Sequence, residues 1–139
     1  MYILDTDILS LLHAGDARLE KHKNQFDPAE VVTTIITRIE ILRGRFDFIL
    51  KAADGNALLR AIAWMAKSEA LLNKIAMLSV NERAADEFER LRQNSKLKKI
   101  GRADLLIACI ALANNATLVS RNLKHFKMVP GLKTSNWLN

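Results

Sequence analysis

The chain opens with Tyr2-Ile3-Leu4-Asp5-Thr6-Asp7-Ile8-Leu9-Ser10, a short apolar run that is closed by an acid and followed by a helical pattern. Three consecutive apolar residues that end at a charge are typical of a buried strand. Thr6 or Asp7 is expected to cap the helix, which continues through Leu12. This stretch therefore predicts a strand that leads directly into a helix, as in a parallel βαβ unit.

The same alternation of strand and helix recurs along the chain. Three further runs predict strands by their apolar or β-branched residues, namely Val31–Thr34, residues 77–80 and residues 117–120. Trp137 and Leu138 suggest a small edge strand near the end. Strands that alternate with helices form parallel sheets with right-handed crossovers. We therefore predict one domain over residues 1–139, a three-layer α/β/α sandwich with a mainly parallel sheet of four to five strands.

A long helical hairpin is predicted between the second and third strands. Apolar residues recur with helical spacing on both sides of Asp54-Gly55-Asn56, which is a turn signal. The hairpin is expected at about residues 37–75. Trp64 and Met65 lie on its second helix, where core packing is the simplest explanation for both.

The composition excludes several classes of protein. Half of the 139 residues are hydrophobic and 26% are charged, which is typical of globular domains and not of disordered chains. The longest apolar run, residues 105–113, is too short to cross a bilayer, so no membrane role is expected. A single cysteine, Cys109, excludes an internal disulfide and a cysteine-based zinc cluster. The N-terminus shows no secretory signal, and a cytoplasmic location is therefore expected.

The charge distribution indicates a polyanionic partner. The net charge is +6, and the excess of positive charge lies in residues 71–139, where no acid follows Asp104. A run of basic residues without an intervening acid leads up to Asp104: Arg90, Arg92, Lys96, Lys98, Lys99 and Arg102. Such a segment is typical of nucleic-acid binding, although solubility alone also explains it.

Three acids occupy positions at which a ligand site is expected. Asp5 closes the first strand, Glu40 lies early in the helix after the second, and Asp104 lies near the start of an apolar helix. Ligands of parallel sheets bind beyond the carboxyl ends of the strands, so these acids are expected to converge there. Converging carboxylates repel unless a cation neutralises them, and oxygen ligands favour Mg²⁺ or Mn²⁺. The pattern predicts a metal site suited to phosphodiester hydrolysis.

Each acid also has a purely structural explanation. Asp5 would serve as part of a helix cap, and Glu40 would pair with Arg43 or Arg45 on the surface. Asp104 would favour the dipole of its helix. The three histidines are isolated in the sequence and are not expected to be catalytic: His13, His22 and His125. The combination of the acids with the basic half of the chain favours the functional explanation.

Four stretches, in this order and spacing, carry a resemblance to a known family. They are Tyr2-Ile3-Leu4-Asp5-Thr6-Asp7-Ile8-Leu9-Ser10, Thr37-Arg38-Ile39-Glu40-Ile41-Leu42-Arg43-Gly44, Ile100-Gly101-Arg102-Ala103-Asp104-Leu105-Leu106-Ile107-Ala108 and Thr117-Leu118-Val119-Ser120-Arg121-Asn122. Phe126 and the ending from Val129 to Trp137 also fit. The chain resembles the PIN domain nucleases, and more closely the VapC-type toxins of bacterial toxin–antitoxin pairs.

The resemblance implies an acidic pocket that holds one or two divalent ions, Mg²⁺ or Mn²⁺. The three core acids of the family match Asp5, Glu40 and Asp104. The expected supporting residues are Thr6, Asp7, Ser120 and Asn122. Asn122 stands where family members carry Asp or Asn, which weakens the expected binding of a second ion. Ser120 stands where Thr is usual and keeps the hydroxyl, and Asp7 stands where Asn is frequent.

The resemblance also implies RNA cleavage, a homodimer and inhibition by a cognate antitoxin protein. The antitoxin of such pairs lays a peptide across the groove, and the hairpin near Trp64 and Met65 is a candidate clamp for it. A homodimer contact is the competing explanation for these two residues. Basic residues at the pocket rim are expected to bind the RNA backbone: Lys98, Lys99, Arg102, Arg121 and Lys124.

Two alternatives remain open on the sequence. A non-catalytic PIN domain that binds RNA or protein is compatible with Asn122, although the intact acids disfavour it. An aspartyl phosphatase with Asp5 as nucleophile and Asp7 as general acid is suggested by the Asp-x-Asp pattern after an apolar strand. In that family Gly-Thr usually follows the second acid, whereas this chain has Ile8 and Leu9.

Overall fold

The computed structural model describes residues 1–139 and contains one five-stranded sheet in the order β3-β2-β1-β4-β5. The strands are β1 Tyr2–Leu4, β2 Val31–Thr34, β3 Ala76–Leu78, β4 Thr117–Val119 and β5 Lys133–Ser135. Every neighbouring pair is parallel. The predicted α/β class with a parallel sheet is therefore confirmed.

Helices cover both faces of this sheet. They are α1 Thr6–His13, α2 Ala17–Lys23, α3 Ile35–Leu50, α4 Gly55–Leu72, α5 Glu82–Leu91, α6 Arg102–Ala113 and α7 Leu123–Phe126. Successive strand residues point to opposite faces, so Ile3 packs with the apolar residues of α5 and α6, whereas Leu4 packs with those of α1 to α4. No helix combines the length and the hydropathy needed to cross a membrane.

The register of the strands brings their carboxyl ends to one edge. Leu4 at the end of β1 pairs with Val119 at the end of β4, and Ile3 pairs with Val32 of β2. The Asp5 N–H then donates to the carbonyl oxygen of Val119 at 3.1 Å, which extends the pairing by one residue. The segments that follow β1, β2 and β4 therefore begin side by side at this edge.

The prediction that Thr6 or Asp7 caps the first helix is wrong. Asp5 is the cap: its backbone is extended, and its side chain accepts a hydrogen bond from the Ile8 N–H at 2.9 Å. Thr6 is already helical, and its hydroxyl bonds to Glu40 on α3 instead. Asp5 is therefore the single residue between the strand and the helix.

The predicted edge strand at Trp137 and Leu138 is also wrong. The edge strand β5 lies at Lys133–Ser135, and Trp137 is buried against the rings of Tyr2 and Phe26. The Trp137 and Phe26 rings are stacked with centroids 5.5 Å apart, and Trp137 belongs to the apolar cluster on the face of the sheet that α1 to α4 cover. The bounds of the hairpin differ by a few residues from the predicted range of about 37–75, since α3 begins at Ile35 and α4 ends at Leu72.

Candidate active site

A cavity of about 200 Å³ opens at the carboxyl edge of the sheet, and only polar residues line it. They are Asp5, Thr6, Asp7, Glu40, Asp104 and Asn122. The structure thus brings together the three acids and most of the supporting residues named from the sequence. Ser120 lies fully buried behind this lining, and its Oγ accepts the Asn122 N–H at 2.9 Å.

Asp5 is the most buried acid of the cavity, with only 5% of its surface exposed. Burial raises the pKa of Asp5 to about 6, and the neighbouring carboxylates of Asp7 and Asp104 add to this rise. The Ser120 hydroxyl and the Ile8 N–H oppose it in part. The fold therefore holds a carboxylate whose charge is costly as long as nothing in the cavity compensates it.

Glu40 is fixed by a chain of hydroxyl groups that joins α1 to α3. The Thr6 hydroxyl donates to Glu40 Oε1 at 2.6 Å and lies 3.1 Å from the Thr37 hydroxyl. Thr37 is buried, and its N–H donates to the Thr34 hydroxyl at the start of α3. These hydrogen-bonded hydroxyl groups fix the position of α1 relative to α3 at the cavity. Sequence reasoning missed Thr37, because no local pattern marks a contact between residues 31 positions apart.

Asp104 lies in the first turn of α6, which Gly101 precedes without a side-chain cap. Burial raises the pKa of Asp104, as do the charges of Glu40 and Asp7, while His125 opposes the rise. His125 Nδ1 lies 3.3 Å from Asn122 Nδ2. Sequence reasoning gave His125 no role, and its three-residue spacing from Asn122 on the short helix α7 is the only signal that would have connected the two.

The cavity carries an excess of negative charge. Arg121 forms the ion pair nearest to it, with its Nε 3.5 Å from Asp7 Oδ2. In this arrangement no three side chains of His, Cys, Asp or Glu converge as a ready metal-binding group. Carboxylates that line one cavity repel each other, and a bound cation would offset that repulsion. The donor set, which consists of carboxylate and amide oxygens, suits a hard divalent ion.

Of the five basic residues predicted at the rim, only Arg121 has a contact with a residue of the acidic cavity. Arg121 lies at the acidic cavity, as its ion pair with Asp7 shows. Lys98 and Arg102 line a separate cavity of about 200 Å³ between the end of α5 and the start of α6, and the Arg102 guanidinium lies over the Phe88 ring at 5.0 Å. Lys99 and Lys124 are exposed and line neither cavity.

One curated relative matches nearly the whole chain, and another matches about half of it. Ribonuclease VapC1 of Haemophilus influenzae is 28% identical over 141 residues, which covers 99% of this chain and 98% of the relative. Ribonuclease VapC2 of Rickettsia felis is 37% identical over 73 residues, which covers 51% of this chain and 54% of the relative.

Solved structures agree with this match. VapBC-1 from nontypeable Haemophilus influenzae superposes with a TM-score of 0.76 at 28% identity, and covers 99% of this chain and 98% of that one. VapBC2 from Rickettsia felis, bound to a DNA fragment from their promoter, gives a TM-score of 0.78 at 25% identity, with 98% of each chain covered. The PIN domain profile matches residues 2–132. With its parallel sheet and its acidic cavity at the carboxyl edge, the chain belongs to the PIN domain family.

Proposed function

We propose that the chain is a divalent-metal-dependent endoribonuclease and the toxin of a VapBC-type toxin–antitoxin pair. The observation that carries the proposal is the wholly polar cavity at the carboxyl edge of a PIN-domain sheet, which is lined by Asp5, Asp7, Glu40 and Asp104. The relatives named ribonucleases support RNA as the substrate. The reaction is hydrolysis of a phosphodiester bond, and the cytoplasm is the proposed location.

Asp5, Glu40 and Asp104 would hold Mg²⁺ or Mn²⁺, as one or two ions. A bound divalent ion supplies neutralisation of the phosphate charge and a lowered pKa for water. The chain supplies the positions of the acids: the Ile8 N–H fixes Asp5, and the Thr6 hydroxyl fixes Glu40. Preorganised groups of this kind need no rearrangement during the reaction, which is where electrostatic catalysis gains most.

Asn122, Ser120 and the nearby basic residues would support the acids by holding the site in shape and by contacting the RNA. The bond from the Asn122 N–H to Ser120 Oγ fixes the turn that brings Asn122 to the cavity. Asn122 would orient water or the ion there. Arg121 neutralises Asp7 at the rim, where it would also contact an RNA phosphate. Lys98, Lys99, Arg102 and Lys124 would contribute to RNA binding at longer range.

A protein partner fits the surface of the α3–α4 hairpin. Several large apolar side chains are exposed on it, including Phe46, Leu50, Leu58, Leu59 and Ile62. Exposed apolar patches of this kind mark protein interfaces. The VapBC structures that resemble this chain are toxin–antitoxin complexes, which supports an antitoxin as the partner. We also propose a homodimer.

The test compares RNA from cells that express the wild-type chain with RNA from cells that express Asp5→Asn. Cut ends are mapped by sequencing, and Asp47→Asn, an exposed acid on α3 outside the cavity, is the matched control. We expect discrete cuts with the wild type and with the control, and none with Asp5→Asn. Purified protein should lose cleavage in EDTA and regain it with Mg²⁺ or Mn²⁺.

Other outcomes would favour the alternatives. RNA binding that survives replacement of all three acids, without cleavage at any metal concentration, would indicate a non-catalytic binding domain. A trapped aspartyl-phosphate on Asp5 would indicate a phosphatase. The geometry gives the phosphatase little support, because its general acid, Asp7, is exposed and paired with Arg121.

A further inference from the structure

A cavity of about 350 Å³ lies between α1, α3 and α4, and its charge is opposite to that of the acidic cavity. Its polar lining consists of Ser10, His13, Arg45, Lys67 and Ser68. No acidic residue takes part. We call it the basic cavity.

The guanidinium of Arg45 is held in place by neutral groups. It lies over the Trp64 ring, 3.8 Å from the centroid, and its Nε donates to the Ser68 hydroxyl at 2.9 Å. Trp64 is in turn packed edge-on by Phe48 and keeps 42% of its surface exposed, so it is not a core residue. Arg45 forms no ion pair, and burial lowers its pKa. The structure therefore positions a cation without a counter-ion.

A second cation, Lys67, and the imidazole of His13 line the same space. Lys67 also forms no ion pair. Burial lowers the pKa of His13, and the nearby charges of Lys23 and Arg45 lower it further. Like charges that are assembled without an anion destabilise each other, so an anionic ligand would relieve the repulsion. Arginine is well suited to bind a phosphate or carboxylate through several N–H groups.

The basic cavity lies on the same face of α1 as the acidic cavity. Thr6 lines the acidic cavity, whereas Ser10 and His13 line the basic one. The spacings i, i+4 and i+7 place these three residues along one stripe of the helix, and Ser10 and His13 lie about 6 Å and about 10 Å beyond Thr6 along the axis. The two cavities therefore open along the same face of α1, where one strand of nucleic acid can contact both.

We propose that the basic cavity binds a backbone phosphate of the RNA substrate, on the same strand as the bond that lies at the acidic cavity. The inference rests on the proposed ribonuclease function. Arg45 and Lys67 contact the phosphate oxygens, and the Ser10 hydroxyl is available as a further donor. A phosphate contact carries no base information, so its role is to set the register of the strand relative to the acids.

The test measures binding of a fluorescein-labelled, mixed-sequence single-stranded RNA in EDTA, so that the RNA is not cleaved, over a series of KCl concentrations. The test variant is Arg45→Gln with Lys67→Gln. The matched control is Arg43→Gln with Arg60→Gln, which removes the same charge from exposed positions of α3 and α4 that do not line the cavity. We expect the test variant to weaken binding several-fold and to reduce the slope of log affinity against log salt by about 0.7 per lost phosphate contact. The control should leave the slope nearly unchanged.

The single variant Lys67→Gln leaves the packing of Arg45 on Trp64 undisturbed. It should show part of the loss of RNA affinity and of salt dependence that the double variant shows. If both test variants bind with the affinity and slope of the control, the inference is overturned, and the cations serve contacts with acidic side chains of a protein partner. If the wild type cleaves RNA while the variants bind unchanged, only this inference fails. If the wild type neither binds nor cleaves, the proposed function fails as well.

Discussion

Asp5→Asn removes one of the three acids on which activity is expected to depend, and it should stabilise the metal-free protein at neutral pH. Burial, with the nearby carboxylates of Asp7 and Asp104, raises the pKa of Asp5 from 3.8 to about 6. Asn keeps an oxygen to accept the Ile8 N–H, and Asn is among the preferred residues at a helix N-cap. The substitution therefore removes the costly charge and retains the cap.

The magnitude follows from the pKa difference between the folded and unfolded states. One pKa unit corresponds to 1.36 kcal/mol, so a rise of about two units costs the folded state about 3 kcal/mol when the carboxyl is ionised. The folded state holds the Asp5 proton more tightly than the unfolded state does. The wild type therefore has its full stability below about pH 4 and loses the contribution of Asp5 as the pH rises through about 6. Asp5→Asn should thus gain up to about 3 kcal/mol at neutral pH and almost nothing near pH 4.

The free energies of unfolding of the wild type and of Asp5→Asn are compared by urea unfolding followed by circular dichroism in EDTA. The comparison is made at neutral pH and again at about pH 4. Asp47→Asn, an exposed acid on α3, is the control and should change little. Added Mg²⁺ or Mn²⁺ should then stabilise the wild type by mass action and leave Asp5→Asn nearly unaffected. A variant that is less stable than the wild type at neutral pH, or that shows the same difference at both pH values, would refute the reasoning.

Three further substitutions test other contacts. Thr6→Val removes the 2.6 Å hydrogen bond to Glu40 and should lower the free energy of unfolding in urea by about 1.5–3 kcal/mol. The same variant should bind Mn²⁺ more weakly in a titration. Unchanged Mn²⁺ binding would show that Glu40 needs no support from Thr6. His125→Ala removes the group that lowers the pKa of Asp104, so the pH profile of cleavage should move to higher pH, whereas Lys124→Ala, on the same short helix, should not move it. Trp137→Ala should cost about 3–5 kcal/mol in urea unfolding, because its ring is buried among aromatic residues; a loss below 1 kcal/mol would contradict that packing.

Much of the fold follows from local sequence patterns. Local patterns predict the strands Tyr2–Leu4 and Val31–Thr34 with their observed bounds, because each is an apolar or β-branched run that ends where a helix begins. The strand Lys133–Ser135 carries no such signal, since its residues are polar and lie at the edge of the sheet. Trp137 misled the prediction, because an apolar residue near an edge packs into the core as readily as it forms a strand.

The residues of the site also differ in whether the sequence alone identifies them. Asp5 and Glu40 were identified because the ends of parallel strands share an edge, a rule that depends only on the order of the elements. The hydroxyl chain through Thr37 and the contact of His125 with Asn122 depend on how the helices pack, and no periodicity in the sequence reports that packing. Arg45 was considered only as a surface partner for Glu40, and its place over Trp64 shows a different role.

The double use of Asp5, as a helix cap and as an acid of the cavity, has an evolutionary consequence. Selection against the activity of this protein would find point changes at Asp5 that abolish chemistry while the fold persists, because Asn keeps the cap bond to Ile8. Such a variant would keep the fold, and with it the exposed apolar surface of the α3–α4 hairpin. Loss of catalysis and loss of structure are therefore separable by one nucleotide change, from an aspartate codon to an asparagine codon.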